Sequence, residues 1–320
     1  MRILRNEPVM HRFIDLFSGI GGFHVALQQE GMDCVFASEI DDAAASVYQQ
    51  NFGLKPCGDI CEVPVENIPA HDILCAGFPC QPFSRSGKKE GFSDSRGRLF
   101  YEIVRIAKHH KPPLMLLENV QTILTMDDGK VKREIYKSLE NAGYHLKHCV
   151  LNSGHFGIPQ KRERVYFVAI RKNTSFSFTV PVGNVMLFKV VKDIVKRHID
   201  TTNLTVTRDD IIFDRSKIQT RTRSPIRIGY LNKGGQGERI YSSNGLAITL
   251  AANSGGVGHR TGLYYIDNEV RRLHIDEAKS VMGFKTTHIV SQGIAGYRQL
   301  GNAVIPEMVT RIYKSVVNDK

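Results

Sequence analysis

A chain of 320 residues, 42% of them hydrophobic and spread along its length, has enough apolar material for a large core, which excludes a disordered or low-complexity protein. Its formal charge of +11 and pI of about 9.4 favour a polyanionic partner, because phosphate neutralisation by Lys and Arg is the sequence-independent part of nucleic-acid affinity. The cysteines Cys34, Cys57, Cys61, Cys75, Cys80 and Cys149 show neither the density of a disulfide framework nor the paired spacing of a zinc site, and no apolar run approaches a membrane span, so a soluble, cytoplasmic, metal-free protein is expected.

From Phe13 the chain alternates short apolar runs with amphipathic stretches. RFIDLF, a glycine turn and HVALQQEG are followed by CVFASEI, AAASVYQQNF and DILCAGF. The periodic LFYEIVRIAKHH, the run LMLLENV, the helix-like VKREIYKSLENAGY and the strand-like RVYFVAI complete the series. Such alternation predicts βαβ units with a parallel sheet, a doubly wound α/β domain. After about Phe178 the texture turns polar and rich in Thr, Arg and Gly, through TRTRSPIRIG, NKGGQGERIYSSNG and ANSGGVGHRTG. Short strands and long loops suited to surface recognition are expected there. From Leu273 the pattern is helical again, in HIDEAKSVMGF and PEMVTRIYKSVV, and the chain is expected to return to the first domain. The expected division is a catalytic domain over 1–184, a smaller, mostly β or irregular domain over 185–272, and a return segment over 273–320.

The turn after the first strand, DLFSGIGG, lets a ligand approach the backbone at a helix N-terminus. Its Gly19, Gly21 and Gly22 lack the third-glycine spacing of the dinucleotide fingerprint, which counts against a nicotinamide enzyme. Glu39, at the end of the second strand, is placed to accept hydrogen bonds from ribose hydroxyls, and Asp59 is placed to meet an adenine amino group; both also read as solvated strand-end acids. In AGFPCQPFS, Pro79 and Pro82 disfavour a regular helix or strand interior and present Cys80 at a strand-to-loop turn, where a thiolate can meet a substrate.

These segments together resemble the DNA cytosine-5 methyltransferases. The resemblance covers nearly the whole chain and rests on DLFSGIGG, GFPCQPFS with SGKKEGFSDSRGRLF, LLENV, GIPQKRERVYFV and YRQLGNAVIP, in family order. It implies a Rossmann-like fold, S-adenosyl-L-methionine as methyl donor and S-adenosyl-L-homocysteine as product. It also implies Cys80 as nucleophile, Glu118 at N3 of cytosine, Arg164 at the base oxygen and Arg162 in support, although an isolated Glu118–Arg164 pair also reads as a structural salt bridge. Phe17, Gly19, Glu39, Ile40, Asp59, Ile60, Pro79 and Asn302 form the implied cofactor set; Ile40 stands where some relatives carry an aromatic residue.

The target carbon lies inside the base stack, so such an enzyme must extrude the nucleotide. Two loops suit this. The loop from Arg85 to Arg98 has Gly87, Gly91 and Gly97 as hinges, basic residues for phosphates, and Ser86 to enter the groove. NKGGQGERIYS and GLAITLAANSGG, with the preceding RIG, resemble the recognition segments of GCGC-specific type II modification methyltransferases. That likeness implies Gln236 in the vacated space, Arg239 on guanine edges, and Arg227 and Thr249 on phosphates. The expected protein is a monomeric bacterial modification enzyme acting on double-stranded DNA and paired functionally with a restriction endonuclease. A tRNA cytosine-5 methyltransferase and a catalytically silent DNA-binding homologue are the alternatives.

Overall fold

The computed structural model describes residues 10–79, 98–184, 188–218 and 221–317. The chain divides into two compact units, one made of 1–151, 164–181 and 309–320, the other of 152–163 and 182–308. By compactness, 273–308 group with the second unit, where the sequence reading had the chain returning to the first from 273.

The first unit is built on strands β1 (Arg12–Leu16), β2 (Asp33–Ser38), β3 (Ile73–Gly77), β4 (Leu114–Val120), β5 (Tyr144–Asn152) and β6 (Glu163–Arg171). Helices α1 (Gly22–Gln29), α2 (Asp42–Phe52), α3 (Arg98–His110) and α4 (Lys130–Asn141) connect the first five. The sheet order is β2-β1-β3-β4-β6-β5. Strands β3 and β4 lie inside it with both faces covered, so Ile73–Ala76 and Leu114–Leu117 are buried without interruption. Strand β5, at the edge, alternates buried and exposed residues.

Helix α2 starts where the Asp41 carboxylate accepts from Ala44 N (3.0 Å) and stops at Gly53, whose φ of 71° closes it in the left-handed region. Helix α4 turns Val131, Ile135 and Leu139 to one side at intervals of four, and they pack with Met115, Leu117 and Phe167 of the sheet and Ile103 and Ala107 of α3.

Strands β1 to β4 run parallel, as expected from the alternation. The RVYFVAI strand, β6, runs antiparallel to β4 and sits between it and β5. The segment 153–162 linking β5 to β6 is too short for the helical crossover that a parallel neighbour needs, roughly a dozen residues or more.

The second unit carries a sheet of order β11-β10-β9-β8-β7, from β7 (Ile212–Phe213), β8 (Arg227–Tyr230), β9 (Arg239–Ser242), β10 (Leu263–Ile266) and β11 (Glu269–Arg271). Its strands are short and its loops long, as the polar texture implied. Ile228, Leu231, Ile240 and Leu263 form a small core beneath them. Helices α5 (Ile275–Val281) and α6 (Gly293–Asn302) follow, and α7 (Pro306–Val317) ends the described chain. A buried ion pair joins β11 to α5: the Arg271 guanidinium donates to both Glu277 oxygens at 2.8 Å.

Candidate active site and nucleic-acid interface

In the first sheet the strand order reverses at β1, which has β2 on one side and β3 on the other. Ligands of open α/β sheets bind at the carboxyl ends of strands beside such a reversal. Phe17, Glu39 and Phe78 follow the ends of β1, β2 and β3, so these positions share one edge of the sheet. Phe17 has a φ of 55°, a left-handed conformation that a bulky side chain adopts only where its surroundings impose it. Ser18 N bonds Ser38 O (2.9 Å), drawing the glycine turn onto the end of β2.

Glu39 locks that turn. Its Oε2 accepts from Gly19 N (2.7 Å) and its Oε1 from Asp41 N (2.9 Å). A carboxylate has about four acceptor positions, so among the described residues two remain for a diol such as that of a ribose. Gly21, at φ 85°, lies under the Phe52 ring, which a Cβ would approach to 2.2 Å. Among the described residues a Cβ at Gly19 would meet no atom within 4 Å, which leaves space for a ligand above that residue.

The next segment runs beside β2: Ser38 and Cys57 form a parallel bridge, with Glu39 N on Cys57 O and Cys57 N on Ala37 O, each 2.8 Å. This brings Asp59 near the end of β2, where its carboxylate caps the turn of Ile60–Glu62 through Cys61 N (2.9 Å). Ile60 is buried, whereas Ile40 is 74% exposed, an apolar surface at the strand end that suits the flat face of a base. Pro79 is exposed immediately after β3. A half-satisfied carboxylate, an open glycine turn and an uncovered aliphatic face on one sheet edge fit a nucleoside-bearing cofactor.

On β4, Glu118 lies opposite Gly77 of β3 and Tyr166 of β6. Its Oε1 is 3.2 Å from Arg164 Nε, with both side chains largely buried. The structure thus shows the two residues as the ion pair that the sequence analysis held as the structural alternative to their roles at the base. Sequence reasoning missed Asn119. This buried amide donates from Nδ2 to Phe78 O (2.9 Å) and accepts Val120 N on Oδ1 (2.8 Å), fixing the β3 exit that leads into Pro79 and Cys80. Its signal was a carboxamide at the end of an otherwise apolar run.

Cys80 and Ser86, and the glycine hinges after them, lie outside the described residues. Burial pushes the thiols of Cys34 and Cys149 up to about 12 and that of Cys75 well above its ordinary range, which keeps these three protonated at neutral pH.

Arg162 and Arg164, two positions apart, fall in different compact units. Within the second unit Arg162 is buried and donates to Leu250 O (3.3 Å), Gly301 O (3.1 Å) and Ala303 O (3.0 Å). It therefore grips both carbonyls flanking Asn302, which is exposed at the end of α6. The backbones meet closely there, since a Cβ on Gly301 would come within 2.6 Å of Ala252 N. Gln160 adds a second buried clamp: its Nε2 donates to Val281 O (3.0 Å), and its Oε1 accepts Leu250 N (3.1 Å).

Gln236 is exposed at the start of the turn Gln236–Glu238. Arg239 donates from Nε to Gly234 O (3.3 Å), and among the described residues nothing takes its two terminal nitrogens. Arg227 lies over the Tyr230 ring, 5.4 Å from its centroid. Thr249 is exposed and donates its hydroxyl to Lys161 O (2.7 Å), which leaves the oxygen as an acceptor only. Among the described residues no helix is long and apolar enough to cross a membrane.

The C-5 cytosine-specific DNA methylase family model matches residues 11–318. The chain is 43% identical to the type II methyltransferase M.HhaI of Haemophilus parahaemolyticus, over 92% of this chain and 90% of that protein. It is 38% identical to the type II methyltransferase M.MspI of a Moraxella species, over 95% of this chain and 70% of that one. Among solved structures it superposes on the S. pombe Dnmt2 methyltransferase with a TM-score of 0.75 at 22% identity, covering 96% of this chain and 98% of that one, a likeness of fold. A family match along nearly all of the chain, with relatives 43% and 38% identical over most of its length, leads to one conclusion: the chain belongs to the C-5 cytosine-specific DNA methylases and is a DNA (cytosine-5)-methyltransferase.

Proposed function

We propose that this protein is the modification enzyme of a type II restriction-modification system, that it methylates the inner cytosine of GCGC, and that it does so on a base turned out of the duplex. The observation that carries the reading is the order of segments in one sequence. DLFSGIGG, GFPCQPFS, LLENV and the arginines of KRERV frame the chemistry, and NKGGQGERIYS and GLAITLAANSGG look like GCGC recognition segments. The functional division we keep is 1–184 for catalysis and cofactor, 185–272 for target recognition and 273–320 as the return segment.

S-adenosyl-L-methionine, when bound, supplies an electrophilic methyl group. Glu39 holds the ribose hydroxyls with its remaining acceptor positions, Asp59 meets the adenine amino group, and Phe17 and Ile40 cover the ring. Gly19, Ile60, Pro79 and Asn302 complete that set by resemblance. Carbon 5 of cytosine is too weak a nucleophile to take a methyl group unaided. Cys80 adds as thiolate to carbon 6, which turns the ring into an enamine reactive at carbon 5. Glu118 supports the addition by hydrogen bonding or donating a proton at N3, and Arg164 steadies both Glu118 and the base oxygen. After transfer carbon 5 gives up its proton and Cys80 is eliminated. Arg162 supports the site by resemblance.

The target carbon is inaccessible in a stacked helix, so the nucleotide has to leave it. Gln236 fills the vacated space, Arg239 aims its unclaimed guanidinium nitrogens at guanine O6 and N7, and Arg227 and Thr249 hold phosphates, with Ser86 entering the groove. The enzyme works as a monomer in the bacterial cytoplasm, without metal and without a stable complex with its cognate endonuclease. Bisulfite sequencing of DNA from cells expressing the chain tests this: methylation confined to the inner cytosine of GCGC is expected, and any other motif refutes the target. Duplexes containing 5-fluorocytosine should trap a cofactor-dependent covalent complex at Cys80, and a denaturing gel without one refutes the nucleophile.

A further inference from the structure

The recognition loop is held from outside by residues that the proposed reading of DNA does not use. Arg208 donates from Nε and Nη2 to the two oxygens of Asp210 (2.7 and 3.0 Å) and again from Nη2 to Asn232 Oδ1 (2.7 Å). Asp210 Oδ2 accepts Asn232 N (3.0 Å). Asn232 passes the constraint on, donating from Nδ2 to Glu238 Oε1 (2.8 Å), while Glu238 Oε2 accepts Gly235 N (2.8 Å). Leu231 N on Glu238 O (2.9 Å) closes the loop at its base. The backbone within it is bent sharply, with Asn232 at φ 48° and Gly234 at φ 71°.

The second glycine-rich segment rests on the same loop. Gly258 N donates to Gly237 O (2.7 Å), and a Cβ at Gly237 would overlap Gly255 O. No side chain fits at Gly237, so the two loops meet backbone to backbone.

Arg208 and Asp210 are exposed, and an exposed ion pair adds little to stability, about 0 to 1 kcal/mol. Their charges cancel, so together they add no attraction for phosphate. What they accomplish is local: a left-handed Asn232 is held by its amide N–H, its Oδ1 and its Nδ2 at once. The Arg208 and Asn232 hydrogen bonds hold Asp210 below the usual carboxylate range, and those from Asn232 and Gly235 do the same for Glu238, so the relay stays ionised at neutral pH.

We infer that Arg208 and Asp210 are positioning residues for target recognition, setting Asn232 and Glu238 so that Gln236 and Arg239 are in reading geometry before DNA arrives. A loop ordered in advance loses less freedom on binding, so affinity and discrimination both gain. The inference rests on the proposed role of this loop in reading DNA.

The test is steady-state methylation of short duplexes carrying the site mapped by bisulfite sequencing and its single-base-pair variants. The proteins compared are wild type, Asp210→Ala, Asp210→Glu, Arg208→Ala, Gln236→Ala and Arg239→Ala. Asp210→Ala and Arg208→Ala are expected to raise KM for the duplex and lower target-over-variant discrimination by about tenfold, the equivalent of about 1.4 kcal/mol. Turnover at saturating DNA and the Kd for S-adenosyl-L-methionine should stay within about twofold. Asp210→Glu, which can still accept from Arg208 and Asn232, should recover part of the loss. Wild-type discrimination in Asp210→Ala and Arg208→Ala, with discrimination lost in Gln236→Ala or Arg239→Ala, overturns the inference and leaves the loop reading standing. Unchanged discrimination in all of them removes the loop reading and the inference with it. A parallel loss of turnover and cofactor affinity in Asp210→Ala marks a general folding defect and also overturns it.

Discussion

Replacing Glu39 separates two roles that the structure gives one carboxylate. It bonds Gly19 N at 2.7 Å and Asp41 N at 2.9 Å, and it has acceptor positions left for a ribose. Glu39→Ala removes both internal bonds and any bond to the ligand. The internal bonds are partly exposed, so water replaces them and their loss costs folding about 1 kcal/mol or less each. The ligand bonds are charge-assisted and worth about 1.5 to 3 kcal/mol, and the glycine turn also loses its brace. The Kd for S-adenosyl-L-methionine should therefore rise by roughly 10- to 150-fold by isothermal titration calorimetry. Glu39→Gln keeps one acceptor oxygen but turns an amide NH2 toward the other backbone donor, so its affinity should lie between those of Glu39→Ala and wild type. If both variants bind the cofactor as wild type does while their unfolding midpoints fall, Glu39 is a strut for the turn and the ribose contact lies elsewhere.

Asn119→Ala should lower turnover by about 10- to 100-fold, with the cofactor Kd little changed, because it frees Phe78 O and loosens the strand exit before Cys80; wild-type single-turnover rates would remove Asn119 from that role. Glu277→Ala should destabilise the second unit by about 3 to 5 kcal/mol in urea unfolding, since it strands a guanidinium that is 5% exposed. The Lys196 and His274 backbone N–H groups lose their Glu277 acceptor in either case, so the double replacement Arg271→Met with Glu277→Leu should recover only the part due to the stranded charge, and equal losses in the two proteins would refute the stranded-charge account. Asp15 is fully buried, and burial first, then the charge of Glu39, raises its carboxyl well above the ordinary value. With a folded pKa above the unfolded one of about 3.9, its contribution to stability is full below that value and is lost as pH rises toward the folded pKa. Asp15→Asn should therefore gain stability relative to wild type on going from pH 4 to about pH 7, and parallel denaturation midpoints for the two proteins across that range would refute the burial argument.

Much of the sheet edge proposed for the cofactor was legible in the sequence because its signals are local. The apolar runs of β3 and β4 mark strands covered on both faces, and DLFSGIGG marks a turn that a ligand can approach. Glu39 and Asp59 stand just after predicted elements, where they also read as solvated strand-end acids, and only the family resemblance assigns them to a cofactor. The family motifs then identified the chemistry, and the match over residues 11–318 agrees with them.

What tertiary structure decided are the pairings between segments far apart in the chain. That β6 runs antiparallel between β4 and β5 depends on which strand edges are available once the parallel strands have formed, and hydrophobic periodicity does not report direction. Glu118 meets Arg164 only because β4 and β6 are neighbours. Asn119 reaches Phe78 because β3 lies beside β4. Arg208 and Asp210 belong to no motif of the sequence, and only the fold sets them against Asn232. Local sequence specifies elements through φ preferences and the spacing of apolar side chains, which act over a few residues. The partners of a buried amide or a loop carboxylate are chosen by packing across the whole sheet, and only the folded chain brings them within hydrogen-bonding distance.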